Sequence, residues 1–459
     1  MRGFVLAGGR LIDPVAGIDG PHDLQIRDGR IRAVGRPGAL DSVADSTRIA
    51  LDGCWIMPGL IDVHVHLRDP GFPQKETIAS GLRAAVAGGF TAVAAMANTE
   101  PVNDCPEISR YMLARAAEVK DGARLVPVGA VSRGLAGREP VNYEAMVLAG
   151  ARLFSDDGIP VDDTALLTRA FSEVNSLGFA VSLHEEDRSL SGSGAANAGA
   201  TAIVLGVPGV PAQSEVARVR RDLELALKTG AAAHIAHVST VGAVQLVRGA
   251  KEAGARVTCE VTPHHLALEE AALLRCGTNA KMSPPLRDRE TVIALRKAVA
   301  DGTIDMIATD HAPHDPSSKQ MAALGGFFSP DCRPELPLAA PLAAAFCRAA
   351  NGVIGLETAV GVVLQTLVNS GVVNPMRMVE LLAVNPAHLL RLEAATLRVG
   401  CAANVTVIDP EARWVVEPQR MVSKSRNTPF AGMELQGRVM MTIVAGEVSF
   451  DGRHRSAAQ

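Results

Sequence analysis

The sequence predicts an α/β protein in which a (β/α)8 (TIM) barrel carries a small β-domain built from both termini. Two observations support this prediction. Residues 57–395 alternate brief apolar runs with amphipathic stretches of helical periodicity, in eight successive units. Residues 1–56 and 396–459 instead consist of short alternating or β-branched segments separated by glycines. We therefore predict one barrel domain and a second domain that combines the two terminal segments.

The eight predicted strands of the barrel are short apolar runs. They cover residues 59–64, 91–96, 125–129, 151–155, 180–184, 233–237, 257–261 and 304–309. The segments between them are rich in alanine and leucine, so each predicted helix can bury one stripe against the sheet. A doubly wound open sheet is the alternative architecture, but the number and length of the units favour a closed barrel.

The composition of the chain is that of a soluble globular protein. Its 459 residues are 47% apolar and 20% charged, which is enough for one large core and an appendage. The net charge of −4 provides no basic field for a polyanion, so we expect no nucleic acid partner. Because neither a long apolar run nor the apolar core of a signal peptide occurs, we expect no membrane span and a cytoplasmic location.

Side chains that can bind a metal follow several predicted strands at their carboxyl ends, which meet at one mouth in a barrel. Alternation along the first strand directs the imidazoles of His64 and His66 to the same side. The further candidates at strand ends are Asp157, His184, His237 and Asp310. Imidazole nitrogens and carboxylate oxygens together form a donor set that suits Zn²⁺.

Each candidate also has an ordinary structural explanation. A His-x-His pair occurs in strands without a metal, and an aspartate after a strand often caps the next helix. His237 on its own could be a core histidine with satisfied hydrogen bonds. Coincidence at six positions argues against these explanations, because ordinary strand ends favour Asn, Ser, Gly and Thr over His. We therefore predict a metal site.

A site with two metals needs a ligand that contacts both, and a carboxylate can do so with its two oxygens. Asp157 is the candidate for that bridge, with Asp156 as its structural neighbour. Two alternatives stay open: Asp156 could be the ligand instead of Asp157, or the site could hold a single metal. A water held by the metal has its pKa lowered to about 7 and can attack as hydroxide. We expect Asp310 to move the proton from this nucleophile to the leaving group, although Asp310 as a ligand only is also consistent with its position.

Seven segments add to this interpretation. Two read GLIDVHVHLRDPG at residues 59–71 and IATDHAPH at 307–314. The others are GFTAVAAMANT at 89–99, FSDDG at 154–158, EVTPHHL at 260–266, KMSPPLR at 281–287 and GLET at 355–358. Together they span most of the chain, and they resemble the dihydroorotases of the long-chain bacterial type in the amidohydrolase superfamily.

The resemblance implies a (β/α)8 barrel with a small β-sandwich made of both termini, and zinc as the cofactor with two ions per chain. It implies one zinc bound by His64, His66 and Asp310, the other bound by His184 and His237, and Asp157 between them. The implied reaction is the reversible cyclisation of N-carbamoyl-L-aspartate to L-dihydroorotate in pyrimidine (UMP) biosynthesis. In the hydrolytic direction a bridging hydroxide attacks the ring amide, and Asp310 relays the proton to the leaving nitrogen.

The implied substrate carries a carboxylate, which needs cationic and amide donors in its pocket. By the resemblance, Arg68 and Asn98 match carboxylate-binding positions and His314 matches another substrate contact. The full set of expected substrate-binding residues is His66, Arg68, Asn98, Ser283 and His314. A surface ion pair with Asp69 is the alternative explanation for the arginine.

Three features depart from the family pattern. Ser283 stands where the family usually has a substrate-binding asparagine, and Glu185 stands where a cysteine is usual. The stretch between residues 314 and 355 is longer than the family norm. In the family this region carries a Phe-Gly pair whose backbone contacts the substrate. Here the Phe-Ser pair at 328–329 or the Asn-Gly pair at 351–352 could replace it.

Two other functions are alternatives to this reaction. In hydantoinases and allantoinases a carboxylated lysine bridges the metals, whereas the matching strand end here offers Ser-Asp-Asp, which favours the dihydroorotase branch. A non-catalytic dihydroorotase-like scaffold for aspartate transcarbamoylase is expected to have lost metal ligands, whereas this chain keeps all six. A homodimer and a complex with aspartate transcarbamoylase are both compatible with the sequence.

Overall fold

In the computed structural model, which describes residues 3–41, 43, 46–324 and 336–453, eight parallel strands lie side by side in chain order. They are Leu60–Val65, Phe90–Ala95, Arg124–Gly129, Leu153–Phe154, Ala180–Leu183, Ala233–Ile235, Val257–Val261 and Met306–Ile307. A parallel bridge between Val65 and His311 brings the chain after the eighth strand beside the first and closes the ring. The predicted barrel is confirmed, and every observed strand overlaps its predicted counterpart.

Helices alternate with these strands. Up to the eighth strand they are Ile78–Ala87, Pro106–Ala117, Tyr143–Leu148, Thr164–Ser176, Arg188–Ser191, Ala200–Leu205, Ala212–Thr229, Val241–Glu252, Pro263–Ala267, Ala272–Cys276 and Arg289–Ala300. Later helices are Met321–Leu324, Ala340–Arg348, Ala359–Val363, Pro375–Val379 and Asn385–Leu389, with π-helical turns at Leu364–Val368 and Glu380–Val384. Short 3-10 turns lie at Arg133–Leu135, Gly277–Ala280 and Pro418–Arg420.

The helix Thr164–Ser176 illustrates why these segments fold as they do. Its N-cap is Asp163, whose carboxylate accepts hydrogen bonds from the first free backbone N–H groups of the helix. Leu167, Phe171 and Val174 recur at helical spacing and are fully buried. The helix therefore covers the barrel wall with one apolar stripe, as the sequence predicts.

Strands from both termini form two further sheets. One contains Gly3–Ala7, Asp23–Arg27, Arg30–Gly35 and Ser46–Ala50. The other contains Arg10–Asp13, Ile18–Pro21, Trp55–Pro58, Val405–Val415, Glu434–Val444 and Glu447–Asp451. Both contribute to one apolar cluster that includes Leu6, Ile26, Ile56, Val405 and Met441, so the sheets pack face to face as a β-sandwich. A separate pair of short strands, Ala196–Asn197 and Gly209–Val210, lies outside both sheets.

The limits of the two domains, 1–56 plus 396–459 and 57–395, stay a prediction, and the strand Trp55–Pro58 crosses the first of them. Residues 325–335 of the long stretch after the eighth strand lie outside the described residues, and the Phe-Ser candidate at 328–329 lies there too. Within the described residues, none of the helices has the length and apolar character that a membrane crossing requires.

Candidate metal centre

The end of the first barrel strand places two buried imidazoles at the mouth, beside a carboxylate from the end of the eighth. His66 Nε2 lies 3.0 Å from Asp310 Oδ1, and His64 Nε2 lies 3.7 Å from the same oxygen. One donor atom from each of the three residues lies within 4.8 Å of the other two. Such a group can hold one divalent cation.

Asp157 lies between this group and two further histidines. Its Oδ1 is 3.4 Å from His64 Nε2, 3.6 Å from His184 Nδ1 and 3.7 Å from His237 Nε2. Its Oδ2 is 3.5 Å from His66 Nε2. The nitrogens of His184 and His237 are themselves 3.0 Å apart. The structure therefore brings all six predicted ligands into one cluster, with the carboxylate of Asp157 facing both halves.

Two buried atoms of the cluster support a metal rather than a purely structural network. His64 Nε2 and Asp157 Oδ1 have no hydrogen-bond partner among the described residues. An unsatisfied buried polar atom costs free energy, and a cation between these two atoms would remove that cost. The set of imidazole nitrogens and carboxylate oxygens matches the ligands that zinc takes in proteins. The residues present therefore fit the metal.

The charges within the cluster favour ionised carboxylates. Burial alone would raise the pKa of Asp157, but His64, His184 and His237 lower it well below its usual value. Burial opposes charge on His64 as well, yet the neighbouring carboxylates raise the pKa of this histidine. Metal binding would displace that proton, since a ligating imidazole must be neutral.

Asp156 takes a different role from its neighbour. Its Oδ1 accepts hydrogen bonds from the backbone N–H groups of Val131 (2.7 Å) and Ser132 (3.0 Å), and its Oδ2 accepts one from the Ser132 hydroxyl. Burial raises the pKa of Asp156 to about 6, although these bonds oppose the rise. With both oxygens engaged away from the histidines, Asp156 anchors a loop, and the alternative in which it replaces Asp157 as ligand is disfavoured.

Two carboxylates that the sequence reasoning did not assign support the histidines. Glu260 Oε1 lies 2.8 Å from His64 Nδ1, and its Oε2 lies 3.1 Å from His234 Nε2. Burial would raise the pKa of Glu260, but the two histidines lower it to about 2. Glu186 Oε2 lies 3.4 Å from His184 Nε2. The sequence signal for Glu260 is a single acidic residue one position before the end of the short strand Val257–Val261.

The backbone is strained at three residues of the site. Arg68, His237 and Asp310 have positive φ values of 59°, 33° and 45°. Residues other than glycine rarely adopt this region, and such strain persists where the surrounding structure imposes it. Each of the three follows the end of a barrel strand, where the chain turns its side chain toward the mouth.

The similarity of the chain to known proteins agrees with this geometry. Residues 53–242 match the family model described as dihydro-orotase-like. The protein named dihydroorotase of Anaeromyxobacter dehalogenans strain 2CP-1 is 46% identical over 445 residues, which cover 96% of each chain. The chain belongs to the dihydroorotase family. It is therefore an enzyme of the cyclic amidohydrolase class.

Other comparisons agree with this membership. The dihydroorotase of Syntrophus aciditrophicus strain SB is 43% identical over 448 residues, which cover 97% of this chain and 99% of that one. Among solved structures, an L-hydantoinase (dihydropyrimidinase) from Arthrobacter aurescens superposes with a TM-score of 0.84. It is 24% identical and covers 98% of this chain and 96% of that one, so it supports the fold alone.

Two of the substrate-binding residues expected of a dihydroorotase lie close to the metal cluster. Asn98 Oδ1 is 2.9 Å from His66 Nδ1, and Asn98 Nδ2 is 3.5 Å from Asp157 Oδ2. Arg68 Nη2 is 3.3 Å from His314 Nε2, and burial lowers the pKa of Arg68 to about 10. Arg68 makes no ion pair with Asp69 among the described residues, which contradicts the alternative explanation for this arginine.

His314, the third expected contact, is a neutral and firmly held ring. Its Nε2 lies 2.8 Å from the backbone oxygen of Asn351, to which it donates. Burial, together with the nearby basic residues Arg68, Lys319 and Lys75, lowers the pKa of His314 to about 2. The Asn-Gly pair at 351–352 is therefore beside the expected substrate contact.

Ser283 and Glu185 are not part of the cluster. Ser283 is half-buried in the loop after Gly277–Ala280, and its side chain makes no hydrogen bond within the described residues, so its substrate role stays a prediction. Burial and the neighbouring Asp222 of the helix Ala212–Thr229 raise the pKa of Glu185 well above its usual value, although Arg221 and Arg218 of the same helix oppose the rise. Neither carboxylate oxygen of Glu185 has a hydrogen-bond partner among the described residues, although Glu185 follows a metal-ligand candidate.

Proposed function

We propose that this protein catalyses the reversible cyclisation of N-carbamoyl-L-aspartate to L-dihydroorotate with two zinc ions at the barrel mouth. The observation that carries the proposal is the place of Asp157, whose Oδ1 lies within 3.7 Å of three imidazole nitrogens and whose Oδ2 faces a fourth. A single carboxylate between two sets of donors is what a pair of metal ions requires. A cytoplasmic location is part of the same proposal.

The proposed ligands divide between the two ions by proximity. His64, His66 and Asp310 would hold one zinc, and His184 and His237 would hold the other. Asp157 would contact both ions. When bound, zinc polarises a carbonyl group and lowers the pKa of a coordinated water to about 7.

Asp310 is the residue that we propose to move the proton. Its Oδ1 lies 3.0 Å from His66 Nε2, which leaves Oδ2 to take the proton of the attacking water. Burial would raise the pKa of Asp310, but the hydrogen bond from His66 and the charges of His64 and His66 lower it below its usual value. Asp310 therefore starts ionised. In the hydrolytic direction Oδ2 delivers the proton to the ring nitrogen as the amide C–N bond breaks, and cyclisation reverses these steps.

Arg68 and Asn98 would bind the substrate carboxylate that takes no part in ring closure. A guanidinium and a carboxamide can together donate several hydrogen bonds to one carboxylate. Asn98 already contacts His66, so the carboxylate pocket adjoins the metal cluster. This arrangement would hold the reacting amide at a fixed distance from Asp310.

The test of this function compares substrates and counts zinc. Turnover is measured with dihydroorotate, N-carbamoyl-aspartate, hydantoin and allantoin, alongside the zinc content of the purified protein. We expect turnover of the first two compounds and about two zinc ions per chain. Activity on hydantoin and allantoin alone would favour a hydantoinase-like amidase. Protein without zinc or turnover that still assembles with aspartate transcarbamoylase would favour a scaffold.

A further inference from the structure

Asn427 reaches the barrel mouth from the C-terminal part of the chain. It lies between the sandwich strands Val405–Val415 and Glu434–Val444, yet it is only 3% exposed. Its Oδ1 accepts a hydrogen bond from the backbone N–H of His314 at 3.0 Å. Its Nδ2 donates to the backbone oxygens of Ala312 at 3.0 Å and Gly352 at 3.1 Å. One carboxamide thus joins the loop after the eighth strand to the Asn-Gly pair at 351–352.

Lys319 binds the same pair from the other side. Its Nζ donates to the backbone oxygens of Lys281 (3.1 Å), Ala350 (2.9 Å) and Gly352 (2.8 Å). Lys319 is only 1% exposed and makes no ion pair with a carboxylate among the described residues. The oxygen of Gly352 therefore accepts hydrogen bonds from both Asn427 and Lys319.

Gly352 itself packs tightly against His314. It has a φ of +123°, which side chains disfavour. A Cβ at this position would lie 2.6 Å from the Cβ of Ala312 and 3.4 Å from Nε2 of His314. The neighbouring carbonyl of Asn351 accepts the Nε2 proton of the same ring. The position of this short stretch of backbone therefore sets the orientation of the His314 imidazole.

We propose that Asn427 and Lys319 are positioning residues that hold the Asn351–Gly352 backbone against His314 and so shape the end of the pocket that binds the substrate. The inference rests on the proposed function, because it assumes that His314 contacts the substrate. It gives the C-terminal segment an indirect part in substrate binding, through the backbone that holds His314. The metal ligands are not involved, since neither residue contacts them among the described contacts.

The cost of burying Lys319 argues against a simple packing role. A lysine amino group that is buried on carbonyl oxygens alone loses its hydration without gaining an opposite charge, and this burial lowers the pKa of Lys319 well below its usual value. An apolar side chain of similar length would avoid this cost, but it would leave the backbone oxygens of Lys281, Ala350 and Gly352 without this donor. A buried lysine without a carboxylate partner departs from the usual preference for exposed or paired lysines. Such departures are expected where function requires a defined geometry.

The test uses Asn427→Ala and Lys319→Met in the full-length zinc-loaded enzyme. Asn404→Ala is the matched control, because Asn404 Oδ1 also accepts a backbone hydrogen bond, from Ala445, within the sandwich. We measure kcat and KM for dihydroorotate and the zinc content. Each test variant should raise KM about tenfold, the equivalent of one hydrogen bond, with kcat changed by less than about threefold and zinc unchanged. The control should behave as wild type.

Several outcomes would overturn the inference. A wild-type KM in both test variants, or a parallel loss of zinc and kcat, would contradict it. Failure of both variants to fold would assign Asn427 and Lys319 to stability alone. Lys319→Met should fold even if Asn427→Ala does not, because it keeps the volume and removes the cost of burying the amino group, while the Gly352 oxygen keeps its hydrogen bond from Asn427. A crystal structure of Lys319→Met should show the 2.8 Å contact between His314 and Asn351 broken. Wild-type enzyme without dihydroorotate turnover would instead refute the proposed function, and the crystal structure would still test whether Lys319 holds the Asn351–Gly352 backbone against His314.

Discussion

Nδ1 of His64 lies 2.8 Å from Oε1 of Glu260, and this contact decides which nitrogen His64 offers to a metal. A carboxylate that accepts the Nδ1 proton leaves the lone pair on Nε2, which points toward Asp157 and Asp310. Glu260 is in turn held by His234. A carboxylate on the seventh strand thus orients a proposed metal ligand on the first.

Glu260→Gln should weaken zinc binding without removing a ligand. The amide lacks the negative charge that makes the imidazole a stronger donor, so we expect zinc affinity to fall about 10- to 100-fold. Competition with a chromogenic chelator measures this affinity. Glu224→Gln, on the exposed side of the helix Ala212–Thr229, is the control. Wild-type affinity in Glu260→Gln would show that this carboxylate does not orient His64.

Substitutions of the adjacent residues Asp156 and Asp157 should have different effects. One should weaken the anchoring of a loop, and the other should weaken metal binding. Asp157→Asn should lose about one zinc per chain and most turnover, because a neutral amide bridges two cations poorly. Asp156→Asn should keep its zinc and lose about 1 to 3 kcal/mol of unfolding free energy, because its bonds to Val131 and Ser132 weaken. Zinc content and urea unfolding of both variants check the pair. Loss of zinc from Asp156→Asn alone would reverse the assignment.

Substitution of Asp310 should abolish turnover. Asp310→Ala removes both a ligand and the proposed proton carrier, whereas Asp310→Asn keeps the size of the side chain and a weaker donor oxygen. Loss of the proton transfer in Asp310→Asn should lower kcat about 10²- to 10⁴-fold. Steady-state kinetics with dihydroorotate, with zinc content measured on the same samples, check both. Substantial residual activity in Asp310→Ala would exclude Asp310 as the proton carrier.

Replacement of Arg68 should weaken substrate binding more than catalysis. Arg68→Met would delete the proposed charge-assisted hydrogen bond to the substrate carboxylate, so KM should rise about 10- to 100-fold. Arg68→Lys should recover part of the loss, since it keeps the charge but not the planar fork. Kinetics with dihydroorotate measure both. An unchanged KM in Arg68→Met would remove this residue from the carboxylate pocket.

Lys281 should make stability depend on alkaline pH. Burial lowers the pKa of its ammonium group from 10.5 to about 8 in the folded protein. Between these values the unfolded chain binds more protons than the folded one, so the contribution of Lys281 to stability increases as pH rises and is lowest below pH 8. Between pH 7.5 and 9.5 wild type should gain about 2 kcal/mol relative to Lys281→Met. Urea unfolding at both pH values measures the difference, and parallel changes in the two proteins would contradict it.

Sequence reasoning predicted the barrel because each strand is a local apolar run and each helix has local periodicity. It predicted His64 and His66 for the same reason, since alternation along one strand is a local rule. It assigned no role to Glu260, Lys319 or Asn427. Their partners are carbonyls and ring nitrogens on other strands and loops, and no spacing along the chain encodes those distances.

Local pattern was therefore sufficient for the kinds of donor atoms, the strand ends that carry them and the class of chemistry that they support. The directions of the individual side chains depended on the closed barrel. It turned Asp157 rather than Asp156 toward the imidazoles, placed Glu185 beside a helix, and brought Asn427 of the C-terminal segment to the backbone of His314. The physical reason is that side-chain direction at a strand end depends on the turn that follows and on long-range packing, which exist only once the ring has closed.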